Sequence, residues 1–138
     1  MALISDDKLE ILDLSSRYNR ALDNRLVDVW LDTWVAEGVL ETPFGVFRGQ
    51  EQLQNFMNSL LDTARGKRHW TANYLIEGFR DSATMSCDLM IIQTQDHPGI
   101  FATGVYVDTL VKTNGVWKFN ERKLAFDSML WQAVKHIA

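Results

Sequence analysis

One cysteine, Cys87, is all the thiol chemistry available to this chain of 138 residues. An internal disulfide is excluded, and a reducing compartment is the expectation. Long hydrophobic runs are missing as well. The longest, Leu89-Met90-Ile91-Ile92, falls far short of the roughly 20 apolar residues needed to cross a bilayer, so no membrane partner is expected. Met1-Ala2-Leu3-Ile4-Ser5-Asp6-Asp7 has neither a basic start nor an apolar stretch. It does not read as a secretion signal, and the cytoplasm is the expected location. Positive charge is in deficit: a net charge of −4 argues against the clustered Lys and Arg that nucleic acid requires. The three histidines are scattered at His69, His97 and His136, without the spacing of a metal site. Glycine-rich nucleotide loops and the Gly-x-Ser-x-Gly nucleophile elbow are absent too, and no cofactor is expected.

What the chain does have is aromatic. Five Trp, seven Phe and three Tyr imply a large aromatic core or an apolar pocket. The length suits one domain, residues 1–138, and a chain of this size buries roughly two thirds of its unfolded surface without staples.

Ile11, Leu14, Tyr18 and Leu22 recur at helical spacing, predicting a first helix from about Ser5 to Leu22. Val27, Trp30, Leu31 and Trp34 predict a short second one over Val27 to Val35. A small hairpin or bent edge strand around Pro43 follows, since proline cannot donate to a central ladder. A third helix is expected from about Gln50 to Thr63, with Leu53, Phe56, Met57, Leu60 and Leu61 on its buried face. The remainder predicts an antiparallel meander with strands over 68–79, 82–95, 100–113 and 116–126. Asn114-Gly115 is the strongest hairpin signal in it. A strand of fourteen residues would span about 45 Å, so such strands must bend, and a bent sheet has a concave face. The fold class is α+β, with helices on one side of a strongly bent antiparallel sheet.

Several strings in this plan carry a resemblance. They are Arg17-Tyr18 with Asp23 five residues after the tyrosine, Gly38-Val39-Leu40-Glu41, Arg68-His69 with Asn73, Gly104-Val105-Tyr106-Val107-Asp108, Asn114-Gly115-Val116-Trp117-Lys118-Phe119, and Arg122. Together they resemble SnoaL-like proteins of the nuclear-transport-factor-2-like superfamily over nearly the whole chain. The resemblance implies a cone-shaped fold whose sheet wraps about three N-terminal helices. It also implies polar groups inside the cone and dimers formed through the sheet.

Strand parity sharpens the site. His69, Thr71 and Asn73 share one face of the first long strand, and Trp70, Ala72, Tyr74 and Ile76 share the other. A loop of two or four residues after Phe79 would set Thr84, Ser86, Asp88 and Met90 on the His69 side. Ala83, Met85, Cys87, Leu89 and Ile91 would then lie on the Trp70 side. Two placements follow: the apolar face packs on the helices while His69 faces water, or the polar face lines a pocket and a second subunit covers the apolar face. The resemblance favours the pocket, since an exposed apolar face of that size invites aggregation.

In scytalone dehydratase and related dehydratases the matching helix contributes an aspartate and a tyrosine, and the first long strand a histidine. On that resemblance Asp23, His69 and Tyr18 are candidate catalytic residues. Asp88 is a second candidate carboxylate, facing His69 from the neighbouring strand. Asp23 by itself could equally be a turn residue, the partner that orients His69, or the base, and Tyr18 could be a core aromatic. Trp30, Trp34, Phe44 and Phe56 are expected as apolar walls, and Asn73, Tyr106 and Asp108 as further lining, with Asp108 alternatively pairing with Arg122 or Lys123. Cys87 reads as a small buried hydrophobe.

The expected activity is a cofactor-independent dehydratase or isomerase acting on a small hydrophobic cyclic alcohol or ketone. A competing reading comes from a second resemblance, carried by Arg68 to Asn73, Asp108-Thr109-Leu110 and Arg122-Lys123-Leu124 with Asp127. These strings resemble the β subunits of ring-hydroxylating dioxygenases, which share the fold, carry no catalytic centre and stand beside an iron-bearing α subunit. A ligand-binding protein without turnover is the third reading.

Overall fold

In the computed structural model, which describes residues 1–63 and 65–127, three helices sit against one six-stranded sheet. His136 lies outside the described residues, as does the side chain of Leu61. Helix α1 spans Ser5–Asp23, α2 Val27–Asp32 and α3 Gly49–Thr63. The strands are β1 Trp34–Thr42, β2 Gly45–Arg48, β3 Lys67–Phe79, β4 Ser82–Gln93, β5 Gly99–Thr113 and β6 Val116–Phe126. Their spatial order is β2-β1-β6-β5-β4-β3. All neighbours run antiparallel except β1 and β6, which are parallel. The four long strands begin and end within two residues of their predicted limits. Trp34 opens β1 instead of closing α2, because the short helix stops at Asp32.

Helix α1 buries Ile11, Leu14, Tyr18, Ala21 and Leu22 against the sheet, the apolar stripe its spacing predicted. Its end is well defined. The Leu26 N–H donates to Ala21 O at 2.9 Å and the Arg25 N–H to Leu22 O at 3.3 Å, while Arg25 takes a left-handed conformation at φ 60°. This is the double hydrogen bond of a Schellman terminus, and it holds Asp23 rigidly in the last helical position. At the other end Asp7 Oδ1 accepts from Trp117 Nε1 at 3.0 Å and Lys112 Nζ at 3.1 Å, tying the first turn to the sheet.

Two bulges decide which side chains face the helices. The β3–β4 hairpin starts with the two-residue loop Arg80-Asp81 and pairs Phe79 with Ser82, then Ile76 with Met85. Beyond Leu75 an extra residue enters, so that Asn73 and Tyr74 together oppose Cys87, and His69 pairs with Ile91. Asn73 takes φ 58°, a left-handed value that asparagine tolerates better than most residues. The side-chain period of a strand is two, so one inserted residue exchanges the faces of everything beyond it. Ile76, Tyr74, Thr71 and His69 therefore all point inward, while Asn73 is left on the outer face. On β4 the inward set is Ala83, Met85, Cys87, Leu89 and Ile91, so the apolar face expected outside is in fact the core face. A second bulge at Asn120 lets both Phe119 and Arg122 point inward from β6.

The core centres on Tyr18, Trp30, Trp34 and Phe119, where Tyr18 meets the other three rings and Trp34 meets Trp30 and Phe119 at centroid distances of 5.3 to 6.0 Å. Arg122 is enclosed within it at 0% exposure. Its Nε and Nη2 donate to the two carboxylate oxygens of Asp108 at 2.8 and 3.1 Å. Its guanidinium carbon lies 3.6 Å from the Tyr106 ring centroid and 4.5 Å from that of Tyr18. Burial disfavours the Arg122 charge, but Asp108 and the two tyrosines outweigh it and hold the group above its ordinary pKa. Burial pushes the Asp108 carboxyl upward, with Arg122 opposing. A buried pair of this kind is strongly destabilising to break and far less so to replace whole. Arg122→Met is expected to lower unfolding free energy by about 3–5 kcal/mol in urea titrations. Combining it with Asp108→Leu should restore much of the loss. A single variant within about 1 kcal/mol of wild type would show that the pair does not carry a desolvated charge.

Candidate active site

The Schellman terminus of α1 and the bulged strand β3 bring Asp23 and His69 together. A carboxylate in the last turn of a helix gains nothing from the helix dipole and needs donors from elsewhere. His69 supplies two. Its backbone N–H donates to Asp23 Oδ1 and Oδ2, both at 3.1 Å, and its ring Nδ1 lies 2.7 Å from Oδ1. The side chains are 9% and 15% exposed, so water competes little for this contact. Asp23 is thus no turn or capping residue, because its carboxylate is spent on His69. A carboxylate acceptor at Nδ1 favours, for the neutral form of the ring, the tautomer with its proton on Nδ1 and its lone pair on Nε2.

The ring of His69 lies on the wall of a cavity of about 260 Å³. For scale, an apolar cavity of about 150 Å³ takes up benzene. Helix α1 contributes Tyr18 and Leu22 to this wall, and α3 contributes Phe56, Ser59 and Leu60. The β1–β2 hairpin adds Leu40, Thr42, Phe44 and Phe47, while Ile91, Phe101, Tyr106, Leu124 and Phe126 come from β4, β5 and β6. Lys67 stands on the same strand as His69, two residues earlier. The lining is dominated by phenylalanine and leucine, with a few polar atoms between them. Burial raises the pKa of Tyr18 and raises that of Tyr106 well above its usual value, despite the nearby Arg122 charge. Both phenols stay protonated at neutral pH and can only donate or accept hydrogen bonds as neutral groups.

Of the residues singled out from sequence, Tyr18, Phe44, Phe56, His69 and Tyr106 line the cavity, and Asp23 stands behind His69. Five do not. Asn73 and Asp88 lie on the outer face, where Asn73 Nδ2 donates to Asp88 Oδ2 at 2.7 Å. The bulge at Asn73 put them there by reversing parity. Asp108 is sealed against Arg122, one of the two pairings anticipated for it. Trp30 and Trp34 are core residues below the cavity, since β1 begins at Trp34 and aims its ring at Tyr18 and Phe119. Cys87 is buried, and desolvation lifts its thiol to about 11, which removes it as a nucleophile. Sequence reasoning missed Phe47, Phe101, Phe126 and Lys67. Parity with His69 would have found Lys67. Phe101 needed knowledge of the irregular pairing between Ile91 and Ile92 on β4.

Around the site, Ser15 Oγ and Tyr74 OH lie 3.2 Å apart, Tyr74 also bonds Thr71, and Asn19 Nδ2 donates to Thr71 Oγ1 at 2.9 Å. These side-chain bonds tie α1 to β3 on either side of the bulge and fix the spacing of Asp23 from His69. Among the described residues, no three His, Cys, Asp or Glu side chains gather as a metal site. Nor is any helix there long and apolar enough to cross a membrane.

Comparison with known proteins places this architecture. The model of the SnoaL-like domain matches residues 4–123. Among solved structures, a protein of unknown function with a cystatin-like fold from Nostoc punctiforme PCC 73102 is 35% identical, with a TM-score of 0.89 over 93% of this chain and 96% of that one. A protein of unknown function from Mycobacterium tuberculosis is 24% identical, with a TM-score of 0.83 over 95% and 86% of the two chains. A provisionally named scytalone dehydratase from Novosphingobium aromaticivorans DSM 12444 is 22% identical, with a TM-score of 0.78 over 88% and 84%. The last two show a shared fold alone. No curated protein matches the sequence.

Asp23→Ala removes the acceptor for both His69 donors. A hydrogen bond to a charged group contributes about 1.5–3 kcal/mol, and a loss of that size is expected in urea unfolding. Nitrogen NMR of the imidazole should show Nδ1 protonated in the neutral wild-type ring and a shift toward the Nε2 tautomer in the variant. A wild-type ring protonated at Nε2 would contradict the pairing.

Proposed function

Because the chain belongs to the SnoaL-like domain family, we propose that it is a cofactor-independent dehydratase or isomerase for a small hydrophobic cyclic alcohol or ketone. That family includes polyketide cyclases and dehydratases. The observation that carries the proposal is the His69–Asp23 pair, at 2.7 Å, on the wall of an apolar cavity. A carboxylate behind the ring and an apolar cavity in front of it are the two features that acid–base work at His69 would use.

The chemistry follows from the neutral ring. Nε2 of His69 removes a proton from carbon α to a carbonyl, and Asp23 stabilises the imidazolium that forms at Nδ1. The electron pair moves to the carbonyl oxygen, where the Tyr18 or Tyr106 hydroxyl donates a hydrogen bond to the developing enolate. The imidazolium then gives its proton either to a β-hydroxyl, which leaves as water as the enolate pair forms the α,β double bond, or, in a β,γ-unsaturated ketone, to the γ-carbon of the dienolate, giving the conjugated isomer. Phenols held neutral by burial suit this role, since an ionised one would repel the enolate.

The expected signature is exchange of an α-hydrogen of a cyclic ketone with deuterium oxide, followed by NMR across a panel of bicyclic ketones. His69→Ala should slow exchange or turnover by about 100- to 10,000-fold, the usual contribution of a positioned acid–base group. Tyr18→Phe should reduce kcat more than it raises KM, as for a group acting on the transition state. Near-wild-type rates in His69→Ala would sink the mechanism. Binding without exchange by the wild type would favour the ligand-binding reading, and co-purification with an iron-bearing α subunit the structural one.

We also propose that two copies meet through the outer sheet face. Trp70, Leu75 and Val107 are 57, 72 and 55% exposed there, more apolar surface than an isolated sheet face comfortably shows to water. Light scattering is expected to give a dimer. Trp70→Glu should weaken it by about 30-fold or more, the loss of one aromatic anchor. A monomeric wild type would overturn the pairing.

A further inference from the structure

The buried Arg122–Asp108 pair has no part in the mechanism above, yet it stands directly behind both phenols that do. Asp108 takes Nε and Nη2 of Arg122. The guanidinium carbon lies 3.6 Å from the Tyr106 ring centroid and 4.5 Å from that of Tyr18, and both tyrosines line the cavity. Stability alone does not call for such a pair, since apolar residues of similar volume often serve as well.

Two buried donors have no full hydrogen bond, Arg122 Nη1 and Trp30 Nε1. Both residues stand against Tyr18, Trp30 at a ring-centroid distance of 5.5 Å. Burial raises the Tyr18 pKa, and donation from Arg122 and Trp30 works the other way. Neither side chain carries an acceptor, so the Tyr18 O–H cannot be spent on them and is left for the cavity. Charge acts in the same direction. On both phenols burial has the largest effect, but Arg122 lowers the pKa more than Asp108 raises it. A neutral phenol with a cation behind it donates more strongly, because the charge and the linked hydrogen bonds polarise it.

We infer that Arg122 is a positioning residue for an oxyanion site: it polarises the Tyr18 and Tyr106 hydroxyls, which donate into the cavity to the enolate oxygen of the substrate. This deepens the acid–base reading of the cavity and rests on it. A purely structural pair would hold the core together and leave the affinity for a ligand oxyanion indifferent to its charges.

The test uses 4-nitro-1-naphthol, an oxyanion in mildly basic buffer, with 1-nitronaphthalene as the counterpart that lacks the oxygen. The ratio of the two affinities, measured by calorimetry, reports the oxyanion site. Hydrogen bonds localise the naphtholate charge, so its visible band should move to shorter wavelength on binding. Arg122→Met combined with Asp108→Leu should lower the ratio about fivefold or more, the coupling expected of residues in contact, while 1-nitronaphthalene affinity stays within about twofold. The band shift should shrink with it. In a Tyr18→Phe, Tyr106→Phe background the same replacement should change the ratio by less than about twofold, because Arg122 acts through those hydroxyls. Asp108→Asn removes the opposing charge and should raise the ratio, the reverse of structural damage. That variant tests the idea even if the pair replacement does not fold. Wild type that takes up 1-nitronaphthalene but not the naphtholate would overturn the inference. So would a ratio unmoved by the pair replacement, one not raised by Asp108→Asn, or an effect that survives loss of both hydroxyls. The readout is binding, so its failure is separable from that of catalysis. An active protein with an indifferent ratio sinks this inference alone, and a coupled ratio without α-hydrogen exchange sinks the acid–base reading alone. If wild type binds neither compound, both lose the cavity they share.

Discussion

One residue more on β3 than on the facing stretch of β4 determines what this sheet can do. Without the bulge at Asn73, the pairing set by the Arg80-Asp81 loop would run unbroken. Trp70 and Ala72 would then lie beside Leu89 and Ile91, and His69 and Thr71 would face outward. With it, the strand keeps Ile76 and Tyr74 in the core near the loop and delivers His69 to the core face at the far end. The bulge therefore places the candidate base inside. Asn73 suits the position twice, by tolerating a left-handed backbone and by bonding Asp88 across the outer face.

Everything else at the site assumes that inward histidine. The Schellman end of α1 holds Asp23 where both the backbone and the ring of His69 can reach it. Side-chain hydrogen bonds from Ser15 and Asn19 keep the helix in register with the strand. Below the cavity the Arg122–Asp108 pair stacks against Tyr106 and Tyr18. The second bulge, at Asn120, aims Arg122 inward just as the first aims His69. The first irregularity gives His69 the inner place that an unbroken β3 would have given to Trp70, and the second turns Arg122, Leu124 and Phe126 inward where an unbroken β6 would have put Glu121 and Lys123.

The resulting cavity is an apolar chamber with a few directed polar atoms. A fully polar face on β3 and β4 would have surrounded His69 with competing hydrogen bonds. The observed face sets Ile91, Phe101 and Phe126 near it, which lowers the local dielectric and strengthens the few polar contacts that remain. The fold itself leaves the activity open, since cones of this kind host unrelated chemistries. It is the His69–Asp23 contact and the surrounding apolar wall that favour acid–base work.

Local signals in the sequence were enough for the fold. Helical spacing of Ile11, Leu14, Tyr18 and Leu22, the Asn114-Gly115 turn and the alternation along four strands act over a few residues. They specified α1, the hairpins and the limits of the four long strands nearly as observed, and the resemblance joined Asp23 to His69 before any geometry. Face assignment was another matter. Parity counted from the loop placed Asn73 and Asp88 beside His69, because a bulge has no reliable local signature: its position depends on which residues the opposing strand offers. Trp30, Trp34 and Asp108 were assigned to the cavity for the same want of information, since composition does not say how deep a side chain lies. The sequence by itself determined the elements, their order and the residue types available for chemistry. Only the tertiary structure decided which of them share a face, since one unpaired residue reverses every side chain beyond it and contacts many residues away set where that residue falls.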